Sequence, residues 1–162
     1  MDPNTTELDA GRFLQKELGR LVEQSMWANR EWIEHVYSRP DSEARPREIL
    51  AHVILGERVW FDRVAGAPRE RDAFLVLEKG ELLGALEENE RTYRQLIAER
   101  LEDDIPFRRA SGEEYHARVA DILHHLLTHG YHHRGQLAAH YARQGVAFPN
   151  TDHIHYLMVQ RL

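Results

Sequence analysis

Histidines recur every four residues along one stretch, at His125, His129 and His133, inside the run Ile122 to Gln136. On an α-helix that spacing draws one slightly winding stripe. Two imidazoles at i and i+4 can offer nitrogens to a single cation from one rigid face, a geometry suited to a transition metal. Helical angles sort the stripe further. At 100° per residue with Val119 at zero, Ile122, Leu123, Leu126, Gly130, Leu137 and Tyr141 fall within about 60° of one line. His133 stands about 40° to one side, His129 about 80°, and His125 near the boundary at about 120°. His124 and His132 point toward solvent. His129 and His133 therefore look inward along one flank of the buried face. The plain alternative is a pair of boundary histidines hydrogen-bonded to neighbours, since i, i+4 pairs also arise by chance in a chain with 11 histidines.

A metal needs a third ligand from another element, and His52 is the candidate. The spacing of Ile49, Val53, Gly56, Trp60 and Val64 predicts a helix over Pro46 to Val64, with proline in its first turn. His52 lies about 60° to one side of that buried line, with Glu48 and Gly56 one turn away on either side. Glu48 is a candidate base, or an outer partner of His52, against the simpler reading of a helix-start glutamate facing water. Gly56 costs roughly 1 kcal/mol of helix stability relative to alanine. Close helix packing or room for a ligand would offset that.

The elements that must position these residues follow from periodicity. Residues 1–11 read as a lead-in. A first helix is predicted from Arg12 to about Tyr37, with Leu14, Leu18, Leu21, Val22, Trp32, Ile33 and Val36 inward. Ser25 and Asn29 interrupt its stripe, either satisfied by other buried groups or lining a polar pocket. Pro40, Asp41 and Ser42 form a connection. After a turn at Gly66-Ala67-Pro68, a third helix is expected from Ala73 to Glu102, weakened at its start by Gly80 and Gly84. Leu82, Leu86, Asn89, Tyr93, Leu96 and Ile97 make its inner face, and its charges read as a solvated surface. Asp103 to His116 reads as two short extended segments around a tight turn at Ser111-Gly112. The histidine helix follows from Ala117 to about Gln144, stopped by Gly145. Thr151 or Asp152 caps a last short helix through Arg161, with His153 and His155 exposed. The expectation is one all-α domain over residues 1–162: a four-helix bundle with a short extended hairpin before helix four and a short C-terminal helix.

Bulk properties bound the function. A chain of 162 residues fits one core of useful size. The absence of cysteine excludes disulfides, thiolate metal sites and a cysteine nucleophile, so any metal is held by nitrogen and oxygen. The net charge is −6 and no basic cluster appears, which argues against nucleic-acid binding. No apolar run approaches the roughly 18 residues of a membrane span, and Met1 to Gly11 is unlike a signal peptide. No membrane partner and a cytoplasmic location are expected.

Taken together, these residues resemble the DinB-like (damage-inducible) four-helix metalloproteins. The resemblance rests on Trp27-Ala28-Asn29 and on His52 with Glu57, Trp60 and Gly66. It also rests on the string His125-x3-His129-x2-His132-His133-Arg134-Gly135-Gln136, and on Thr151-Asp152 through Tyr156-Leu157. It covers nearly the whole chain, and the His-Arg-Gly-Gln string is its most specific part. It implies a bundle holding a divalent metal, commonly zinc or nickel, on one histidine of helix two and two of helix four. Carried onto this chain, those are His52, His129 and His133. His125 matches an outer position. The resemblance further implies frequent homodimers and, in characterised relatives, thiol-dependent transfer or isomerisation with bacillithiol or mycothiol. The family name reflects induction after DNA damage and does not establish DNA binding.

Three protein ligands leave a coordination position open, the pattern of a catalytic zinc site. The leading expectation is thus a metal-dependent enzyme, a thiol S-transferase or hydrolase, working with a small thiol cosubstrate and a small-molecule substrate. The alternatives are a metal-binding bundle without catalysis and a purely structural dimerising bundle. Glu57 lies about 140° around the helix from His52 and reads as structural. Asn29 and Gln136 are candidate pocket donors.

Overall fold

The apolar stripes fold into long helices that share one core. The computed structural model describes residues 3–39, 44–108 and 111–160. In chain order the elements are α1 (Pro3–Tyr37), α2 (Ala44–Val64), α3 (Lys79–Glu99), β1 (Asp104–Arg108), β2 (Glu114–Arg118), α4 (Val119–Arg143) and α5 (His153–Val159). Trp32, Ile33 and Val36 of α1, Leu50 and Ile54 of α2, Leu82, Leu86 and Tyr93 of α3, and Leu123, Leu126 and Leu137 of α4 are buried together. This is the all-α bundle with hairpin and terminal helix that periodicity predicts. No helix among the described residues is long and apolar enough to cross a membrane.

Element boundaries differ from the sequence reading where local chemistry outweighs pattern. Helix α1 starts at Pro3 rather than Arg12. Proline suits a first turn, and no helix breaker follows before Gly11. Leu14 is 36% exposed, so it stands outside the core. The connection read at Pro40 to Ser42 lies outside the described residues. Helix α2 begins two residues early, at Ala44. Of its predicted line Ile49, Val53 and Val64 are buried while Gly56 and Trp60 are half-buried, and the buried face extends round the helix to Leu50, Ile54, Glu57 and Phe61.

Helix α3 begins at Lys79, not Ala73. Glu78 caps it in a reciprocal box with Glu81, whose carboxylate accepts from the Glu78 backbone N–H at 3.0 Å. The residues before it form a loop. Asp72 accepts from the Phe74 backbone N–H at 2.9 Å, a local bond that competes with helix. Arg71 pairs with Asp62 at 2.6 Å and Tyr37 donates to the Leu77 carbonyl at 2.6 Å, which straps this loop to α2 and α1.

The hairpin is antiparallel, with Ile105 opposite Ala117 and Phe107 opposite Tyr115, and Gly112 takes φ 87° at its turn. Helix α4 stops at Gly145, where φ 67° lets the Val146 N–H return to the Tyr141 carbonyl at 3.0 Å. Asp152 stands at the start of α5 without a side-chain cap. Thr151 instead ties that segment to α1, accepting from Gln24 Nε2 at 2.8 Å and Trp32 Nε1 at 3.1 Å. His153 and His155 are half-buried rather than exposed, with the His155 ring 6.2 Å from that of Trp27. Arg161 lies outside the described residues.

Candidate metal centre

The inward flank of α4 meets α2 at the predicted histidines. One ring nitrogen each from His52, His129 and His133 lies within 4.8 Å of the other two, and all three residues are half-buried. His129 Nε2 and His133 Nε2 are 3.0 Å apart. Two imidazoles on one tetrahedral ion, at Zn–N distances near 2.0–2.1 Å, hold their nitrogens roughly 3.3 Å apart. No further histidine, cysteine, aspartate or glutamate joins the cluster among the described residues.

The electrostatics keep the rings neutral. His129 is lowered to about 4, first by burial and then by the neighbouring imidazoles His133 and His52. Burial also lowers His133 and His52; for His52 the Ala73 backbone opposes part of the effect. Neutral rings expose lone pairs, the form a metal takes. His133 Nδ1 faces Gln136 Oε1 at 3.0 Å, so Nδ1 carries the proton and Nε2 the lone pair. His129 then supplies the Nε2–H shared between the two rings. An ion at that point requires this proton to move to His129 Nδ1, a tautomer change without net charge. His52 Nδ1 is buried without a hydrogen-bond partner among the described residues. The donor set fits a divalent ion of the zinc and nickel class.

The other predicted site residues take distinct places. Gln136 is an acceptor toward His133 and reaches His132 Nε2 through its own Nε2 at 3.0 Å. His125 is exposed and outside the cluster, its ring 5.8 Å from that of His129. Glu48 is also outside it and pairs with Arg45 at 3.2 Å, its side chain 37% exposed. Asn29 is turned to a different partner, the core residue Arg134. It is buried and its Oδ1 accepts from Arg134 Nη1 at 2.8 Å, while Ser25 Oγ accepts from the same nitrogen at 3.2 Å. The interruptions in the α1 stripe thus meet a buried arginine through their oxygens, while Asn29 Nδ2 and Arg134 Nη2 are buried without a hydrogen-bond partner among the described residues. Nor does Gly56 mark tight packing: a Cβ there would meet only His129 Cε1, at 4.0 Å.

Two residues escaped the sequence reading. Phe74 stacks on His52 with ring centroids 4.3 Å apart and planes at 10°. It was hidden in the stretch assigned to the third helix, where only the Asp72 turn chemistry could have exposed it. Arg134 is buried in the core, and burial lowers its pKa. It sits about 60° from the reference line on α4, an arginine within the apolar stripe. That clash, together with Ser25 and Asn29 on the α1 stripe, was the available signal.

Comparison with known proteins follows the same residues. No curated protein matches the chain. The sequence profile of the DinB family matches residues 16–161, a span holding His52, His129, His133, Arg134 and Gln136, and the chain belongs to the DinB family.

Proposed function

We propose that this protein binds one divalent ion, zinc or nickel, through His52, His129 and His133, and that it is a metal-dependent enzyme of the thiol S-transferase or hydrolase type. One observation carries the reading: three neutral imidazoles from two helices converge with no fourth protein ligand among the described residues. Three ligands leave room for a reactant, whereas structural zinc sites close with four. When bound, such an ion supplies Lewis acidity that lowers the pKa of a water or thiol reaching its open side.

The chain's own residues position and protect the site. Gln136 fixes the His133 tautomer, Phe74 covers one face of His52, and burial holds the rings unprotonated. With no cysteine in the chain, a thiol nucleophile comes from a small cosubstrate. Glu48, one turn before His52, stands in the proposal as the proton acceptor, and Glu48→Gln should lower turnover without releasing metal. A homodimer is part of the same reading and is checked by sedimentation.

The deciding measurement is metal content per chain on tag-free protein, for the parent and for His52→Ala, His129→Ala and His133→Ala. About one ion in the parent and a large loss in each variant is expected. A parent that stays metal-free after incubation with zinc and nickel ends the metalloprotein reading. Cobalt-substituted protein then separates an enzyme from a non-catalytic metal bundle. A small thiol entering an open position changes the cobalt absorption spectrum; an unchanged spectrum favours the closed, non-catalytic alternative.

A further inference from the structure

Beside the histidine cluster, α2, α4 and the hairpin enclose a cleft of about 520 Å³. Its walls are apolar and mostly aromatic, from Trp60, Phe107, Tyr115 and Ile122. Phe107 and Tyr115 are cross-strand partners with rings 5.8 Å apart, tilted by only 24°. Trp60 meets Phe107 edge-on at 5.1 Å. Flat faces held this way favour another planar group by stacking or edge contact. The lining calls for no charge in return: the Asp121 carboxylate already accepts from Arg118 at 3.1 Å.

The cleft adjoins the metal cluster through His125. That ring lies 5.7 Å from Trp60 on one side and 5.8 Å from His129 on the other. The helices face each other in matching steps. His52 meets His129 and His133, Gly56 lies opposite His129, and Trp60 opposite His125. The residue between His52 and Trp60 on this stripe of α2 is therefore a glycine, and a Cβ there would meet only His129 Cε1, at 4.0 Å.

We propose that this aromatic cleft holds a planar, uncharged, apolar group of the substrate while the substrate's donor atom lies at the histidine cluster. The inference rests on the metal reading above and adds a substrate class to it. The two ends of such a molecule are joined by a spacer of about one helical turn, roughly 6 Å. Gly56 keeps the path between them open.

The test uses zinc-loaded full-length protein and two zinc-directed probes, phenylpentanohydroxamate and acetohydroxamate, titrated by calorimetry. Both carry the same head; only the first carries a flat tail on a four-carbon spacer. The aryl probe should bind at least tenfold more tightly, as expected for burying a phenyl ring. Tyr115→Ala removes an exposed wall and Gly56→Leu blocks the path, and each should cut that advantage to about threefold or less at unchanged zinc content. If Gly56→Leu loses zinc, the surface variant Tyr115→Ala decides alone. Equal affinities on the parent, or an aryl advantage that survives Tyr115→Ala, overturns the cleft while leaving the metal site standing. A parent that retains no zinc and binds neither probe overturns the metal reading, and the cleft falls with it.

Discussion

At the scale of single residues, orientation of the ligands matters as much as their identity. Gln136 accepts from His133 Nδ1, which leaves Nε2 free to face His129. Loss of such an outer partner typically weakens metal binding by about 10–100-fold. Gln136→Leu should therefore lower zinc affinity in a chelator competition by that order, while Gln136→Glu, which keeps an acceptor, should bind at least as well as the parent. Equal affinity for the leucine variant would show that His133 needs no such hold. Phe74→Ala should have a smaller effect in the same assay, because it removes a stacked ring and not a hydrogen bond. The histidine arrangement was legible in sequence because the α4 pair His129 and His133 and the single α2 ligand His52 each obey helical angles, and angles need no partner. Phe74 was not legible, because a loop residue reaches its neighbour by a turn that periodicity cannot describe. Asn29 was legible as buried but not as a partner of Arg134, since no angle within one helix says what the next helix brings.

At the scale of elements, two glycines in long helices show opposite requirements. A Cβ at Gly130 of α4 would lie 3.0 Å from Arg134 Nη1 and 3.7 Å from Ser25 Oγ. That guanidinium is buried and donates to Ser25 and Asn29 of α1, so it cannot simply swing aside. Gly130→Ala gains about 1 kcal/mol of helix propensity but disturbs a charge-assisted bond worth about 1.5–3 kcal/mol. The net expectation is a destabilisation of about 1 kcal/mol or slightly more, read as a lower denaturation midpoint at unchanged slope. Gly56→Ala of α2 should instead stabilise by about 0.4–1 kcal/mol, because its Cβ has open space to occupy. If both substitutions move stability the same way, the clamp of Arg134 on α1 is not what keeps Gly130 small. Elements of this length were read correctly from sequence because a stripe repeated over many turns outweighs any local exception. Their ends were misplaced by up to nine residues at Pro3 and six at Lys79 because there single hydrogen bonds and turns decide.

Across the whole molecule, a second polar layer joins all four long helices inside the core, apart from the metal cluster. Ser25 and Asn29 of α1 hold Arg134 of α4, while Asn89 and Tyr93 of α3 donate to Glu57 of α2 at 2.7 and 3.0 Å. Glu57 is buried, and desolvation raises its pKa to about 7 against the opposing pull of Asn89, Tyr93 and the charge of Arg134. The unfolded chain titrates this group near 4.5, so between pH 4.5 and about 7 the folded state keeps a proton that the unfolded state has lost. Stability from Glu57 is thus complete below 4.5 and declines as pH rises through about 7, by roughly 3 kcal/mol in all. The cluster histidines act in the opposite direction. Their lowered pKa values make the metal-free fold lose stability as pH falls below 6.5. A melting curve of the parent alone mixes the two. The difference between Glu57→Gln and the parent, both with chelator present, isolates the carboxylate because the histidines are common to both. That difference in melting temperature should move in favour of the glutamine variant between pH 5 and pH 8, since only the parent must then ionise a buried group. A difference that stays flat over that interval would mean Glu57 is already ionised at pH 5, held so by Arg134 across the core.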